Sequence, residues 1–420
     1  MLLLSCQAQL LEHSLQRPAQ ILISLVFSLL LSQQAYAEDF LKAQSEFDQF
    51  KTQSDRDFER SKNEFTIYKQ KLLTAFDQYK LATAKVWGNK NTVMPNRNNW
   101  VSYQDDLNHR SVVDFNRGTI QVDLALAADK NISADDATRQ LADSIVKTLK
   151  LGNDTRSMLD IAKQPIAVSK GPAVLAGQIA NQQGSEVSRD DYRQLAQQAA
   201  IAATTKIIKG NDGQRRIVYS AQLKMVPNHL RKRAARYQAD VNKYAQKEKV
   251  PAPVVFAIME TESMFNPTAR SPVPAFGLMQ LVPTSGARDA YRYLYKKDRV
   301  VSDTYLYHPG NNIKLGTAYL NQLYYKYLAG ISNPQSRQWA MIAAYNTGAG
   351  NVFRAFAGKY SKSRYGNRSK WKRAALREIN QRSPEQVYTY LRQHLPYSET
   401  RRYMKKVRGR ISKYQTAQGV

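Results

Sequence analysis

The hydrophobic pattern changes character several times along the chain. Residues 21–31, ILISLVFSLLL, form one unbroken apolar run. From 38 to about 90, Phe40, Phe47, Phe58, Phe65 and Leu72 recur at intervals of seven or eleven, and no Gly or Pro occurs before Gly88. That spacing predicts a narrow apolar stripe on a long helix. Such a helix is either a stalk that binds a partner or an element that packs its stripe on its own domain. The stretch NTVMPNRNNW, 91–100, breaks the pattern. Residues 111–126, SVVDFNRGTIQVDLAL, predict a hairpin turning at Asn116-Arg117-Gly118, with Ile120, Val122 and Leu124 on one face. An amphipathic helix is predicted over 134–152, closed by Gly152, and a second over roughly 188–208. Asp212-Gly213 then leads into a strand, RRIVYSAQLKMV. Beyond Pro227 the pattern is helical, rich in Tyr and Arg and poor in strand signals. The fold class is therefore α+β: an N-terminal long helix and small α+β domain over 38–227, then a mainly α domain over 228–420.

Composition sharpens this. Sixty-two Lys and Arg stand against 34 Asp and Glu, a formal charge of +28. A chain so basic suits an anionic partner: nucleic acid, acidic lipid or an acidic wall polymer. The 21–31 run is short for a membrane span, and Ala35-Tyr36-Ala37 follows it as a small-x-small cleavage pattern. Residues 1–37 read as a signal peptide cleaved after Ala37, with an uncleaved anchor as the alternative and a start codon downstream of Met1 compatible with the poor leading segment. The single cysteine, Cys6, lies in the leader, so the mature chain has no disulfide, thiolate nucleophile or thiolate metal ligand. Export favours an extracytoplasmic anionic polymer, and no nucleic-acid-binding motif is present.

The chemistry is sought in IMETESMFNP, 258–267. A helix starts at the proline-flagged VPAPVVFA and stops at Asn266-Pro267. Two residues apart on a helix point about 200° away from each other, so Glu260 and Glu262 cannot face one substrate atom. Glu262 sits at the end of the apolar stripe Val254, Val255, Ile258 and Met259, and Glu260 is expected to turn towards solvent. Partial burial would raise the Glu262 pKa towards neutrality, as a general acid requires. The plain alternative is a helix-end carboxylate paired with an arginine. Downstream, AFGLMQLVP (275–283) sets apolar side chains beside the amide Gln280, a combination suited to sugars, and AAYNTGAGNV (343–352) places Tyr345 and Asn346 at a helix end. Tyr403 follows in a basic helix. Taken singly, Met279 and Tyr345 read as core residues.

Glu262-Ser263, Asn266-Pro267, Ala269, Ser271, Gly277-Leu278-Met279-Gln280, Ala344-Tyr345-Asn346 and Gly348-Ala349-Gly350, in this order, resemble the lytic transglycosylases with a goose-type lysozyme fold. The likeness extends upstream through RIVYSAQLKMVPNHLRKRA to the C-type murein transglycosylases and covers roughly 38–410. It implies a mainly α, lysozyme-like catalytic domain acting on peptidoglycan glycan strands. Glu262 would be the catalytic acid and base. Ser271, Met279 and Gln280 would line the glycan groove, Tyr345 and Asn346 would lie near the acid and the sugar, and Tyr403 would orient the acid. The chain departs from the pattern in two places. C-type enzymes carry a lipidated cysteine at the mature N-terminus. Here Ala37-Glu38 stands at the predicted cleavage site, so outer-membrane association is an implication of the family without a visible lipid anchor. The loop RSPVPAFG also carries Pro272, Val273 and Pro274 where many relatives are more polar.

A glycosidase with one carboxyl group can work if the nucleophile belongs to the substrate. Glu262 would protonate the glycosidic oxygen between N-acetylmuramic acid and N-acetylglucosamine. It would then take the proton of the muramic 6-hydroxyl, giving a 1,6-anhydro end, with proximity supplying rate. No metal or cofactor is needed, and His13, His109, His229, His308 and His394 show no ligand spacing. The rivals are a hydrolytic muramidase using Asp289, Asp298 or Asp303 as second carboxylate, and a non-catalytic wall-binding scaffold. The basic clusters RKRAAR (231–236) and RRYMKKVRGR (401–410) either hold stem-peptide carboxylates or are solvated helix faces.

Overall fold

A computed structural model of the chain describes residues 45, 59–60, 63–271 and 274–416. The leader, Phe40, Phe47, Phe58, Pro272 and Val273 lie outside them. The chain divides into two compact units, Met1–Ile67 and Tyr68–Val420. In the first, the described residues are helical. The second holds the sheet, the later helices and the site. No helix among the described residues is long and apolar enough to cross a membrane.

Helix α1 runs through residues 63–87. From Leu72 onward it buries Leu72, Ala75, Tyr79 and Val86, spaced by three, four and seven, in the main core. This part of the helix therefore packs its stripe on its own unit. An antiparallel sheet follows, with β1 Asn99–Gln104, β2 His109–Asp114, β3 Thr119–Ala127 and the long β8 Arg215–Met225 side by side. The predicted hairpin is β2–β3, closed by the pair Asp114 and Thr119. Strands β6 Ile179–Ala180 and β7 Thr204–Lys209 share the other edge of β8. A separate pair joins β4 Gly152–Asn153 to β5 Lys170–Ala173. Helices α2 Ala134–Lys150 and α4 Tyr192–Ile201 close a core with Ile120, Val122, Leu124 and Leu223 of the sheet. Helix α3, Met158–Lys163, is short.

Two expected boundaries are corrected here. Helix α2 ends at Lys150, and Gly152 opens a strand instead of capping the helix. The helix expected over 188–208 is α4 followed by strand β7. Thr204, Thr205, Ile207 and Ile208 are β-branched, and pairing with β8 wins over continued helix. Strand β1 begins inside the stretch read only as a break.

The remaining elements are helical: α5 His229–Ala235, α6 Gln238–Glu248, α7 Ala252–Ser263, α8 Gly286–Tyr295, α9 Asp303–Tyr307 and α10 Pro309–Asn321 with a π turn at Gln322–Tyr327. Then come α11 Pro334–Thr347, α12 Ala349–Ala357, α13 Lys362–Tyr365, α14 Arg368–Asn380, α15 Pro384–His394 and α16 Ser398–Thr416. The architecture is thus α+β followed by a mainly α region, as expected. Helix α7 packs against α6 and α16. Val254, Val255, Ala257, Ile258 and Met259 are all buried, so the helix is covered all round rather than along one stripe.

That coverage overturns the expectation for Glu260. It is buried, not solvent-facing, because α16 covers its side of α7. Arg410 Nε donates to its Oε1 at 2.9 Å, Lys413 Nζ to its Oε2 at 3.1 Å, and the Tyr414 hydroxyl also donates to Oε2. A carboxylate buried with that many donors is structural.

Within the cluster RKRAAR, Arg233 and Ala234 are buried, Lys232 is half-buried, and Arg231, Ala235 and Arg236 are exposed. Arg233 is 2% exposed and donates to the carbonyls of Met264 (3.0 Å) and Phe115 (2.9 Å) and to Gln178 Oε1 (2.7 Å). It thereby joins the end of α7 to the hairpin and to the segment before β6. Burial pulls its pKa down to about 10. Arg236 donates to the carbonyls of Val174 and Ala176. Arg233→Ala would leave these acceptors unpaired in the interior. A loss of about 3 kcal/mol is expected, read as an earlier midpoint in urea unfolding.

Candidate active site

The site is built where α7 stops. Pro253 lies in the first turn of the helix, where its missing N–H costs nothing. Met264 and Phe265 both take left-handed backbone, at φ 51° and 60°, and end it. Glu262 is the last carboxylate before that turn. It is 5% exposed, and its carboxyl meets a groove of about 720 Å³.

Ser263 explains why Glu262 is followed by a hydroxyl. Its Oγ donates to the Leu278 carbonyl at 2.7 Å and fastens the 277–281 turn beside Glu262. Asn312 of α10 holds the same turn from the other side. Its Nδ2 donates to the carbonyls of Phe276 and Leu306, and its Oδ1 accepts from Met279 N at 2.8 Å. Gln280 takes φ 48°, an uncommon value for a residue with a side chain, of the kind that collects at functional sites. Its Nε2 donates to the Ala269 and Gly277 carbonyls, and its Oε1 has no hydrogen-bond partner among the described residues. That leaves a buried acceptor at the groove wall.

The expected site residues gather unevenly. Glu262, Ser271, Gln280, Tyr345 and Asn346 line the groove together. Met279 is fully buried against Gly316 and does not line it. Its backbone contributes instead, because the Tyr345 hydroxyl donates to the Met279 carbonyl at 2.8 Å. Asn346 Oδ1 accepts from Thr400 Oγ1 at 2.7 Å, which binds α11 to the start of α16. Tyr403 faces Glu262 from α16, 5% exposed, its hydroxyl lacking a partner in good hydrogen-bond geometry among the described residues. That oxygen is near enough for its dipole to pull the Glu262 pKa down.

Two groove residues carried no sequence signal. Arg97, from the segment ahead of β1, brings a guanidinium nitrogen to 3.6 Å from Glu262 Oε2. Its other terminal nitrogen lies 3.0 Å from Oε1 of Glu399, on α16. Burial dominates the electrostatics and pushes the Glu262 pKa up to about 7. Arg97 and Tyr403 oppose that shift and Glu399 adds to it. Burial, reinforced by the Glu262 charge, raises Tyr345 and Tyr403 well above the usual phenol range, so both stay protonated. The arrangement is a carboxyl group able to give and take a proton near neutral pH, facing an open groove.

Comparison with known proteins agrees in both halves. Residues 240–367 match the Transglycosylase SLT domain. Residues 47–236 match the N-terminal domain of membrane-bound lytic murein transglycosylase C. The membrane-bound lytic murein transglycosylase C of Klebsiella pneumoniae is 39% identical over 77% of this chain and 83% of its own. That of Sodalis glossinidius is 38% identical over 77% and 84%. The 70 kDa soluble lytic transglycosylase of Escherichia coli aligns with 46% of this chain and 26% of its own, at 27% identity and a TM-score of 0.33. Fold, groove and family matches make this an enzyme of the lytic murein transglycosylase class. Within that class, the chain belongs to the membrane-bound lytic murein transglycosylase C family.

Proposed function

We propose that Glu262 alone supplies the acid and base of the reaction, and that the product is a 1,6-anhydro-N-acetylmuramic acid end. The observation carrying this is that, among the described residues, Glu262 is the one buried carboxyl group lining the groove, with burial pushing its pKa up to about 7. Protonated Glu262 donates to the oxygen linking N-acetylmuramic acid to N-acetylglucosamine, with the muramic N-acetyl group assisting departure. The carboxylate then accepts the proton of the same sugar's 6-hydroxyl as that oxygen closes on C1. One bond breaks, one forms, Glu262 regains its proton, and no water is consumed.

The placement of the other carboxylates supports this reading. Asp298 is paired with Arg288 and Arg292, Asp289 accepts from Tyr327, and Asp303 accepts from Met158 N at the start of α3. None of them lines the groove. Glu399 does, but it is exposed and engaged by Arg97. Ser271, Gln280, Tyr345 and Asn346 then contact the glycan, Met279 acts through its carbonyl, and Tyr403 orients the acid. Residues 228–420 carry the catalysis. The protein works in the periplasm after export, in association with the outer membrane, in keeping with the membrane-bound relatives.

Mass analysis of the products released from purified wall sacculi tests this. Anhydro-muropeptides are expected. Reducing ends would mean that water is the nucleophile and the enzyme is a hydrolase. Binding to sacculi without any product would mean a scaffold.

A further inference from the structure

The geometry points to Arg97 as a positioning residue whose guanidinium is shared between Glu262 and Glu399, so that Glu399 sets how much positive charge the acid–base carboxyl feels. This rests on the role of Glu262 proposed above. The two contacts are unequal, 3.0 Å to Glu399 Oε1 and 3.6 Å to Glu262 Oε2, so in this state the arginine leans towards Glu399. A guanidinium offers donors in a fixed planar fork and can serve two carboxylates at once.

The segment carrying Arg97 is built, not loose. Tyr103, fully buried, accepts from Val93 N at 3.1 Å and donates to the Val93 carbonyl at 3.0 Å. Asn96 Oδ1 accepts from the backbone N–H groups of Asn98 and Asn99 at 2.9 and 3.0 Å, and Asn96 N donates to the Asn99 carbonyl. Arg97 thus projects from a closed turn directly ahead of β1. The sheet region upstream of the catalytic helices thereby supplies a charge to the catalytic centre.

The charged and titratable groups facing Glu262 are Arg97 from this turn, Tyr345 from α11, and Glu399 and Tyr403 from α16. Before the reaction Glu262 must hold a proton, and Arg97 opposes that. With Glu399 drawing the guanidinium away, the opposition is weakened. Once Glu262 has given up its proton, its new charge attracts Arg97 and steadies the carboxylate until it recovers a proton from the 6-hydroxyl. The shared arginine therefore serves both halves of the cycle.

The test is the alkaline limb of kcat/KM against pH for the full chain on soluble glycan strands, which reports loss of the Glu262 proton in the free enzyme. Arg97→Gln should move that limb up by about one pH unit. Glu399→Gln should move it down, because the arginine then serves Glu262 alone and a like charge is gone. Arg97→Lys, which keeps the charge, should hold the limb nearer the native position than Arg97→Gln does. A limb that stays put in both Gln variants, or moves the same way in both, overturns the inference. Failure of the underlying reading looks different: Glu262→Gln would retain activity whatever Arg97 does.

Discussion

Glu262→Gln is expected to lower turnover of peptidoglycan by about a thousandfold, the scale of a lost general acid and base. Gln has the shape of the protonated acid but cannot give up a proton to the glycosidic oxygen. Binding to sacculi should survive, because Gln280, Tyr345 and Asn346 line the groove independently. The same substitution should stabilise the fold above neutral pH. Glu262 has a pKa of about 7 in the folded chain against an ordinary 4.5. Between those values the native state holds a proton that the unfolded chain has released, so native stability falls as pH rises through the window. Above pH 7 an ionised carboxylate remains buried. Gln removes that cost. The variant should match the native chain near pH 4.5 and exceed it by about 3 kcal/mol at pH 8. Urea unfolding at both pH values measures this. Equal stabilities at pH 8 would mean that Glu262 is not held near neutrality.

The shielded position of Glu262 at the end of its helix was legible because its surroundings are local. Helix start, apolar run, Glu262, Ser263 and Asn266-Pro267 occupy a few turns, and the Gly277–Gln280 turn follows closely. Glu260 was misjudged because helical rotation fixes only direction. What lies in that direction is α16, whose Arg410 is 150 positions away along the chain. Arg97 was invisible for the same reason. It sits in a stretch with no periodicity, and its partner Glu399 is 302 positions distant. Asn312 looks like any polar residue in a helix until its amide is seen bonding the turn at Phe276 and Met279 and tying it to Leu306 of α9. Met279 was placed in the groove by likeness, whereas its side chain fills core and only its carbonyl serves the site.

Fold-level reading succeeded where one face of an element decides its period. The β2–β3 hairpin shows Ile120 and Val122 inside, as alternation requires. It failed at 188–208, where pairing between β7 and β8 competes with helix propensity. A window of residues does not contain its own partner strand.

Gly277→Ala should be the most destructive small substitution in the site. Gly277 has φ 75°, a left-handed value that costs a residue bearing a Cβ about 1 kcal/mol. The space is the larger obstacle. A Cβ there would sit 2.3 Å from Asn312 Nδ2 and 2.3 Å from the Leu306 carbonyl oxygen, closer than real Cβ contacts come. The Leu306 backbone cannot swing aside, so Asn312 or the turn must move. Either shift breaks hydrogen bonds to Phe276, Leu306 or Met279 in a dry interior. Together these effects predict a loss of about 4 kcal/mol or more. Activity should fall beyond what unfolding explains, because the turn carries Gln280 and the Met279 carbonyl that anchors Tyr345. Gly213→Ala supplies the comparison. That glycine also has positive φ, 83°, but nothing lies within 4 Å of the added Cβ. It should lose only the backbone cost of about 1 kcal/mol and keep full activity. Thermal melts of the two variants, with glycan cleavage measured well below both midpoints, separate the steric effect from the conformational one. Similar losses in both would show that positive φ alone matters, and that the Asn312 clamp does not hold the turn.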